Sequence, residues 1–181
     1  TTTNVSSLDL LHPDLVRADG AFLGNSRRLM DAHLALGCEA TWTCAPYQTG
    51  HRPGFGAQIA WAESNAIVFA NSVLGARTER YGDFLDISAA LVGRVPFAGL
   101  HTDQGRKASL VMDFSAISRE LLDQESAWPA MGALLGDIAG SRVVAMTGLH
   151  GDLADGGLTE DRLKSLGATA ASSGGVGLFH I

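Results

Sequence analysis

Residues 59–80 read Ile59-Ala-Trp-Ala-Glu-Ser-Asn-Ala-Ile-Val-Phe-Ala-Asn-Ser-Val-Leu-Gly-Ala-Arg-Thr-Glu-Arg80. The apolar spacing predicts a long helix from about Ala57 to Leu74, stopped by Gly75. At 100° per residue, Ile59, Ala62, Ala66, Phe69 and Val73 form one apolar stripe. Gln58, Asn65 and Ser72 form a second row, and Ser64 and Asn71 a third. Between Ala57 and Leu74 only Glu63 is ionisable, whereas a solvated helix face normally carries Lys, Glu and Arg. Two readings fit. The helix is packed on both sides by protein with its amides satisfied internally, or its small polar groups line a buried polar site. Arg77 and Arg80 follow the helix directly. A guanidinium is a rigid fork suited to a carboxylate, so the pair suggests an acidic small molecule; a surface ion pair with Glu79 or Asp83 is the alternative.

Upstream lies Cys44-Ala-Pro-Tyr-Gln48. Pro46 restricts the backbone before it and has no N–H to donate, so a strand over Ala40–Ala45 should end there with the Cys44 thiol near its tip. Thr49–Gly56 reads as a flexible link. A helix is expected over Asn25–Leu36, closed by Gly37, and another over Phe84–Val92, capped by Asp83. Thr1–Leu11 and Asp152–Gly157 read as loops. Strands are expected at Lys107–Phe114, Arg142–Met146 and Val176–Ile181. Helices are expected at Ser126–Ala139 and at Thr159–Leu166, the latter stopped by Gly167. Strands alternating with helices give an α/β domain with a mostly parallel sheet flanked by helices. The whole chain, residues 1–181, is expected to form one such domain.

The composition narrows the function classes. A hydrophobic content of 46% over 181 residues supports a sizeable core. Lys and Arg number 13 against 19 Asp and Glu, for a net charge of −6. No basic run appears, which argues against nucleic acid as a partner. No apolar run reaches membrane-spanning length, which argues against a membrane partner. Two cysteines make no disulfide framework, and a reducing, cytoplasmic compartment is the simplest reading. The first residues are turn-like and the last, Val176-Gly-Leu-Phe-His-Ile181, read as a strand cut at its end. The expectation is a fragment of a longer polypeptide; a short chain with a processed N-terminus is the alternative.

Metal-site signals are sparse. Cys38 and Cys44 are six positions apart, a spacing that matches no zinc or ferredoxin pattern. If Cys44 binds metal, its co-ligands come from outside this chain. The six histidines are scattered. His33 reads as a helix-face residue and His101 as a loop residue and site candidate. Ser172-Ser-Gly-Gly175 lacks the Gly-Lys-Ser/Thr ending of a phosphate loop.

Several segments taken together resemble the catalytic region of aconitase X. They are Thr1-Thr-Thr-Asn4, Thr43-Cys-Ala-Pro-Tyr47, Ile59-Ala-Trp-Ala-Glu-Ser64, Ala70-Asn-Ser-Val-Leu-Gly-Ala-Arg-Thr78 and Gly99-Leu-His101. The likeness continues to Leu178-Phe-His-Ile181. It implies an aconitase-like layered domain and a hydro-lyase that dehydrates a small hydroxy acid with an iron–sulfur cluster. One branch of the family acts on cis-3-hydroxy-L-proline, giving a pyrroline carboxylate; the other acts on mevalonate 5-phosphate. Trp42, Gln48 and Tyr81-Gly-Asp-Phe84 are more similar to the first.

The resemblance further implies that Cys44 holds the cluster, and that Asn71, Ser72 and Arg77 line the substrate pocket. Arg80, Ser64 and His101 join them as candidates, with the polar loop Thr2, Thr3 and Asn4 nearby. The other cluster ligands, the swivel domain and the catalytic base are expected outside this chain. Glu79 stands where family members often carry Asn, which departs from the pattern. The implied chemistry is a β-elimination. An open iron site acts as Lewis acid, Arg77 with Arg80 clamps the carboxylate, and Asn71 and Ser72 hold register. A reading from another class is a metal-free binding or scaffold domain.

Overall fold

Three short apolar segments, Leu110–Asp113 (β1), Val144–Thr147 (β2) and Phe179–His180 (β3), pair in parallel in the order β1-β2-β3. The register sets Leu110 beside Val144, and Val144 beside Phe179. Parallel neighbours need crossover connections, and helices supply them. Arg119–Leu122 and Ala127–Ala139 lie between β1 and β2, and Glu160–Gly174 lies between β2 and β3. Gly20–Ala35 (α1), Ser64–Ser72 (α2) and Leu85–Val92 (α3) precede the sheet. The crossover helices are therefore α4, α5 and α6. The computed structural model describes residues 8, 9, 12–149 and 157–181. The expected loops at Thr1–Leu11 and Asp152–Gly157 lie largely outside them. The mixed fold, a parallel sheet flanked by helices, is the one the sequence predicts. No helix among the described residues is long and apolar enough to cross a membrane.

Local chemistry explains the helix ends. Asp19 caps α1 by accepting from Phe22 N at 2.8 Å, and Thr159 caps α6 by accepting from Arg162 N at 3.2 Å. Inside, Trp128, Leu135, Val144, Leu166 and Phe179 form the core between α5, α6 and the sheet. Helices α5 and α6 meet backbone to backbone: a Cβ built on Gly174 would lie 1.9 Å from Gly136 O. A second cluster gathers Tyr47, Trp61, Ile67, Phe69 and Ala76 on the other side of α2, where Tyr47 stacks on Phe69 with ring centroids 3.8 Å apart.

Helix α2 sits between the two clusters, and Ala66 through Asn71 are all buried. Ile67, Val68 and Phe69 each contribute on the order of 1.5–3 kcal/mol by leaving water. An all-round buried helix carries no charged face, so the absence of Lys and Arg follows from enclosure by protein.

The helix is also shorter than predicted. Residues 57–63 are extended, because Gln58 bridges Arg77 in parallel, with Arg77 N donating to Ala57 O at 2.8 Å and Ile59 N to Arg77 O at 3.0 Å. Gln58 and Ile59 therefore leave the predicted helical rows. The expected strand at Ala40–Ala45 does not form, as Pro46 opens a 3-10 turn over Pro46–Gln48. Asp83 does not cap α3; Phe84, in the left-handed region, precedes that helix. Gly167 does not stop α6, which runs on to Gly174.

Candidate active site

Asn71 ends α2 as a buried bracket. Its Nδ2 donates to Thr78 O at 2.9 Å and to Gly177 O at 2.8 Å. Its Oδ1 accepts from Thr78 N at 3.0 Å and from Arg106 Nη1 at 3.0 Å. An amide has two donors and one oxygen, so both ends are spent on protein. The Asn71 side chain, expected to meet substrate, is bonded here to Thr78, the neighbour of Arg77, and to Gly177 and Arg106. Ser72 is likewise engaged, accepting from Phe179 N at 3.0 Å and tying α2 to β3.

Arg77 leaves this bracket pointing toward the segment Gly99–His101. Its Nη1 donates to His101 O at 3.2 Å and its Nη2 to Asp103 Oδ1 at 2.5 Å. The Asp103 side chain is 85% exposed while that of Arg77 is 27% exposed. The carboxylate on the guanidinium is therefore one that faces solvent. Arg80 donates to Gly175 O and lies 3.5 Å from Glu79 Oε1. Its guanidinium is anchored on protein, which weakens the case for a second clamp.

Glu79 is a structural carboxylate. It accepts from Arg80 N and from Leu100 N, both at 2.9 Å. Burial pushes its carboxyl up, but those two N–H groups and the Arg80 guanidinium outweigh it and leave the pKa below the ordinary 4.5. The approach requires Gly99: its φ is +52° and a Cβ there would lie 1.9 Å from Glu79 Oε2.

His101, 2% exposed, is the centre of the group. Gln58 Nε2 donates to His101 O at 3.2 Å, which turns Gln58 Oε1 toward His101 Nδ1 at 2.6 Å. Nδ1 therefore carries the hydrogen, and Nε2 accepts from the Tyr81 hydroxyl at 2.5 Å. Burial pulls the imidazole below its ordinary 6.5, with Arg106 and Arg77 adding to the effect and Glu79 opposing it. Tyr81 is raised by burial and by Glu79, so it stays protonated. His101 was selected from the sequence. Gln58 lies on an extended segment and not on the predicted helix, and nothing local in the sequence points to Tyr81, Asp103 or Arg106.

The other candidates lie apart. Ser64, exposed at the start of α2, is next to Glu63 at 3.5 Å. Cys44 is at this same end, its carbonyl accepting from Asn65 Nδ2 at 2.9 Å. Asn65 and Asn71 are six positions apart, about 9 Å along the helix. Thus Cys44 and the Asn71–Arg77–His101 group occupy opposite ends of α2. Thr2, Thr3 and Asn4 lie outside the described residues. A cavity of about 380 Å³ is lined by Cys38, Glu39, His51, Trp61, Ile87 and Leu91 among others, and by none of the predicted site residues.

Cys44 is exposed and unpaired with Cys38. Burial and then Glu63 raise its pKa, so a ligand role needs the charge of a bound metal to hold the thiolate. No three His, Cys, Asp or Glu side chains gather into a metal site among the described residues. They can offer a cluster one thiolate and cannot hold it alone.

Residues 1–104 match the family described as Aconitase X first domain, and residues 108–181 match Aconitase X second domain. The chain is 43% identical over 86% of its length to a cis-3-hydroxy-L-proline dehydratase of Hypocrea jecorina, covering 25% of that protein. It is 40% identical over 84% of its length to the Pseudomonas aeruginosa enzyme of that name, again covering 25%. It is 36% identical over 99% of its length to the phosphomevalonate dehydratase large subunit of Methanocaldococcus jannaschii, covering 44%. The crystal structure of Thermococcus kodakaraensis aconitase X in its holo-form superposes with a TM-score of 0.79 at 34% identity. That alignment covers 91% of this chain and 40% of the other.

Proposed function

The chain belongs to the aconitase X family, and on that premise we propose that it is part of a hydro-lyase that removes water from cis-3-hydroxy-L-proline. The observation that carries the substrate is the higher identity to the two cis-3-hydroxy-L-proline dehydratases, 43% and 40%, against 31–37% for phosphomevalonate dehydratase large subunits. The geometry favours the same choice. Arg77, Arg80 and Arg106 are each engaged by protein groups. Of the three, Arg77 alone is paired with a carboxylate that is mostly in solvent. One such guanidinium suits one carboxylate better than a carboxylate plus a phosphate.

In this reading the substrate carboxylate displaces Asp103 from Arg77. The guanidinium keeps its bond to His101 O and offers its other nitrogen to the ligand. Thr78, pinned by Asn71, fixes the direction of that offer. Charge that grows on the carboxylate during proton loss is offset by a donor already in place. Cys44 supplies one thiolate to an iron–sulfur cluster whose other ligands lie outside this chain. When bound, that group supplies Lewis acidity toward a departing hydroxyl. The remaining catalytic region and the swivel domain are partners of this chain in the same enzyme.

The test is iron and acid-labile sulfide analysis of the whole enzyme and of its Cys44→Ala variant. Loss of iron and of turnover in the variant supports the reading. A wild type free of iron points instead to a scaffold domain, and a variant with full iron content removes Cys44 from the ligand set.

A further inference from the structure

The group around His101 holds more than an anion clamp. A β-elimination on a hydroxy acid removes the proton on the carbon next to the carboxylate. The base must therefore stand beside the residue that holds that carboxylate. Arg77 and Tyr81 meet on one residue, Arg77 at the carbonyl of His101 and Tyr81 at its Nε2. The imidazole is held from the far side by Gln58, which leaves Nε2 as a bare acceptor aimed at the phenol. Tyr81 itself is half-buried, with its ring stacked on that of His101 at 5.7 Å between centroids.

We infer that Tyr81 is the proton acceptor of the dehydration and that His101 is the positioning residue that takes the phenolic proton as Tyr81 gains the substrate's. The inference rests on the dehydratase reading and sets the base within this chain, where the family resemblance implied one outside it. In the step, the proton on the carbon next to the carboxylate passes to Tyr81 Oη. The Tyr81 proton passes to His101 Nε2. The C–H electron pair becomes the new C=C bond, and the C–O bond breaks to release hydroxide. The proton that His101 gives up through water neutralises the released hydroxide, so one water leaves and the enzyme is restored. Gln58 Oε1 keeps its bond to Nδ1–H throughout. The imidazolium formed in passing faces Glu79, which favours it, and Arg77 and Arg106, which oppose it. That balance makes the protonated state brief.

The experiment uses the whole enzyme with cis-3-hydroxy-L-proline and with mevalonate 5-phosphate. Tyr81→Phe, which removes one oxygen, should lower kcat by roughly 100-fold or more, the scale of a lost general base, with KM within about threefold. The wild-type rate should fall on acidification as His101 protonates, and the residual rate of Tyr81→Phe should lose that limb. Nitrogen-15 NMR of the histidines should show hydrogen on Nδ1 of His101 and a bare Nε2. A kcat within threefold of wild type in Tyr81→Phe, or hydrogen on Nε2, overturns the inference. If Tyr81→Phe loses thermal stability as well, the NMR result decides. A wild type that dehydrates neither acid overturns the dehydratase reading and the inference with it. An active wild type with an equally active Tyr81→Phe overturns the inference alone.

Discussion

Replacing Asn71 by leucine tests the bracket beneath the clamp. The side chain is 2% exposed, and leucine keeps its branched shape but is bulkier, so some overpacking adds to the loss. The polar loss is larger. Thr78 N, Thr78 O and Gly177 O lose the partner that Asn71 gives them, and Arg106 loses one bond. Thr78 is 0% exposed, which leaves little room for water to substitute. A buried polar group left unpaired costs about 1–3 kcal/mol, so three backbone groups amount to roughly 3–9 kcal/mol. Ser72→Ala removes one acceptor, from Phe179 N, and should cost about 1–3 kcal/mol, a third of that scale. Domains are stable by about 5–15 kcal/mol in total, so Asn71→Leu should bring this region near its limit. Urea unfolding of the whole enzyme, followed by tryptophan fluorescence, measures both variants. A loss below about 1 kcal/mol in Asn71→Leu, or one equal to that of Ser72→Ala, would refute the bracket.

Arg77→Lys should lower kcat/KM by about 10–100-fold, because an ammonium cannot hold His101 O and a carboxylate in one plane. Asp103→Asn, by weakening the internal competitor, should lower KM a few-fold with kcat unchanged; steady-state kinetics reads both. Glu79 has a lowered pKa in the folded protein, so its stabilisation is complete above pH 4.5 and is lost as pH falls from there through the folded value. The stability gap between wild type and Glu79→Gln should therefore narrow as pH drops below 4.5, as measured by urea unfolding across that range. Gly174→Ala sets a methyl against Gly136 O and should destabilise by about 1–3 kcal/mol, with a lower melting temperature as the readout.

Helices and strands with strong local signals were legible in the sequence. Thr159 marks a helix start by a local hydrogen bond, and the apolar runs of β1 and β2 are short enough to read as strands, whereas α1 begins at Gly20 behind its Asp19 cap, ahead of the expected Asn25. The errors have non-local causes. Ala57–Glu63 has helix-compatible residues, yet the returning segment at Arg77 offers a parallel backbone partner that no local rule foresees. Gly167 was read as a stop, but it gives room: a Cβ there would lie 3.0 Å from Val68 Cγ1. Arg77 and His101 were legible as candidates from residue type and family likeness. Gln58 and His101 are 43 positions apart, so their pairing and the tautomer it fixes could come only from coordinates. The uncharged helix was legible too, and its cause was one of the two weighed, enclosure by protein.

Incubating the whole enzyme separately with cis-3-hydroxy-L-proline and mevalonate 5-phosphate, and following product by mass spectrometry, measures the central claim. Loss of one water from the hydroxyproline, giving a pyrroline carboxylate, with the phosphorylated acid untouched, is the predicted result. Turnover of mevalonate 5-phosphate alone would contradict the substrate assignment, and turnover of neither would contradict the dehydratase itself.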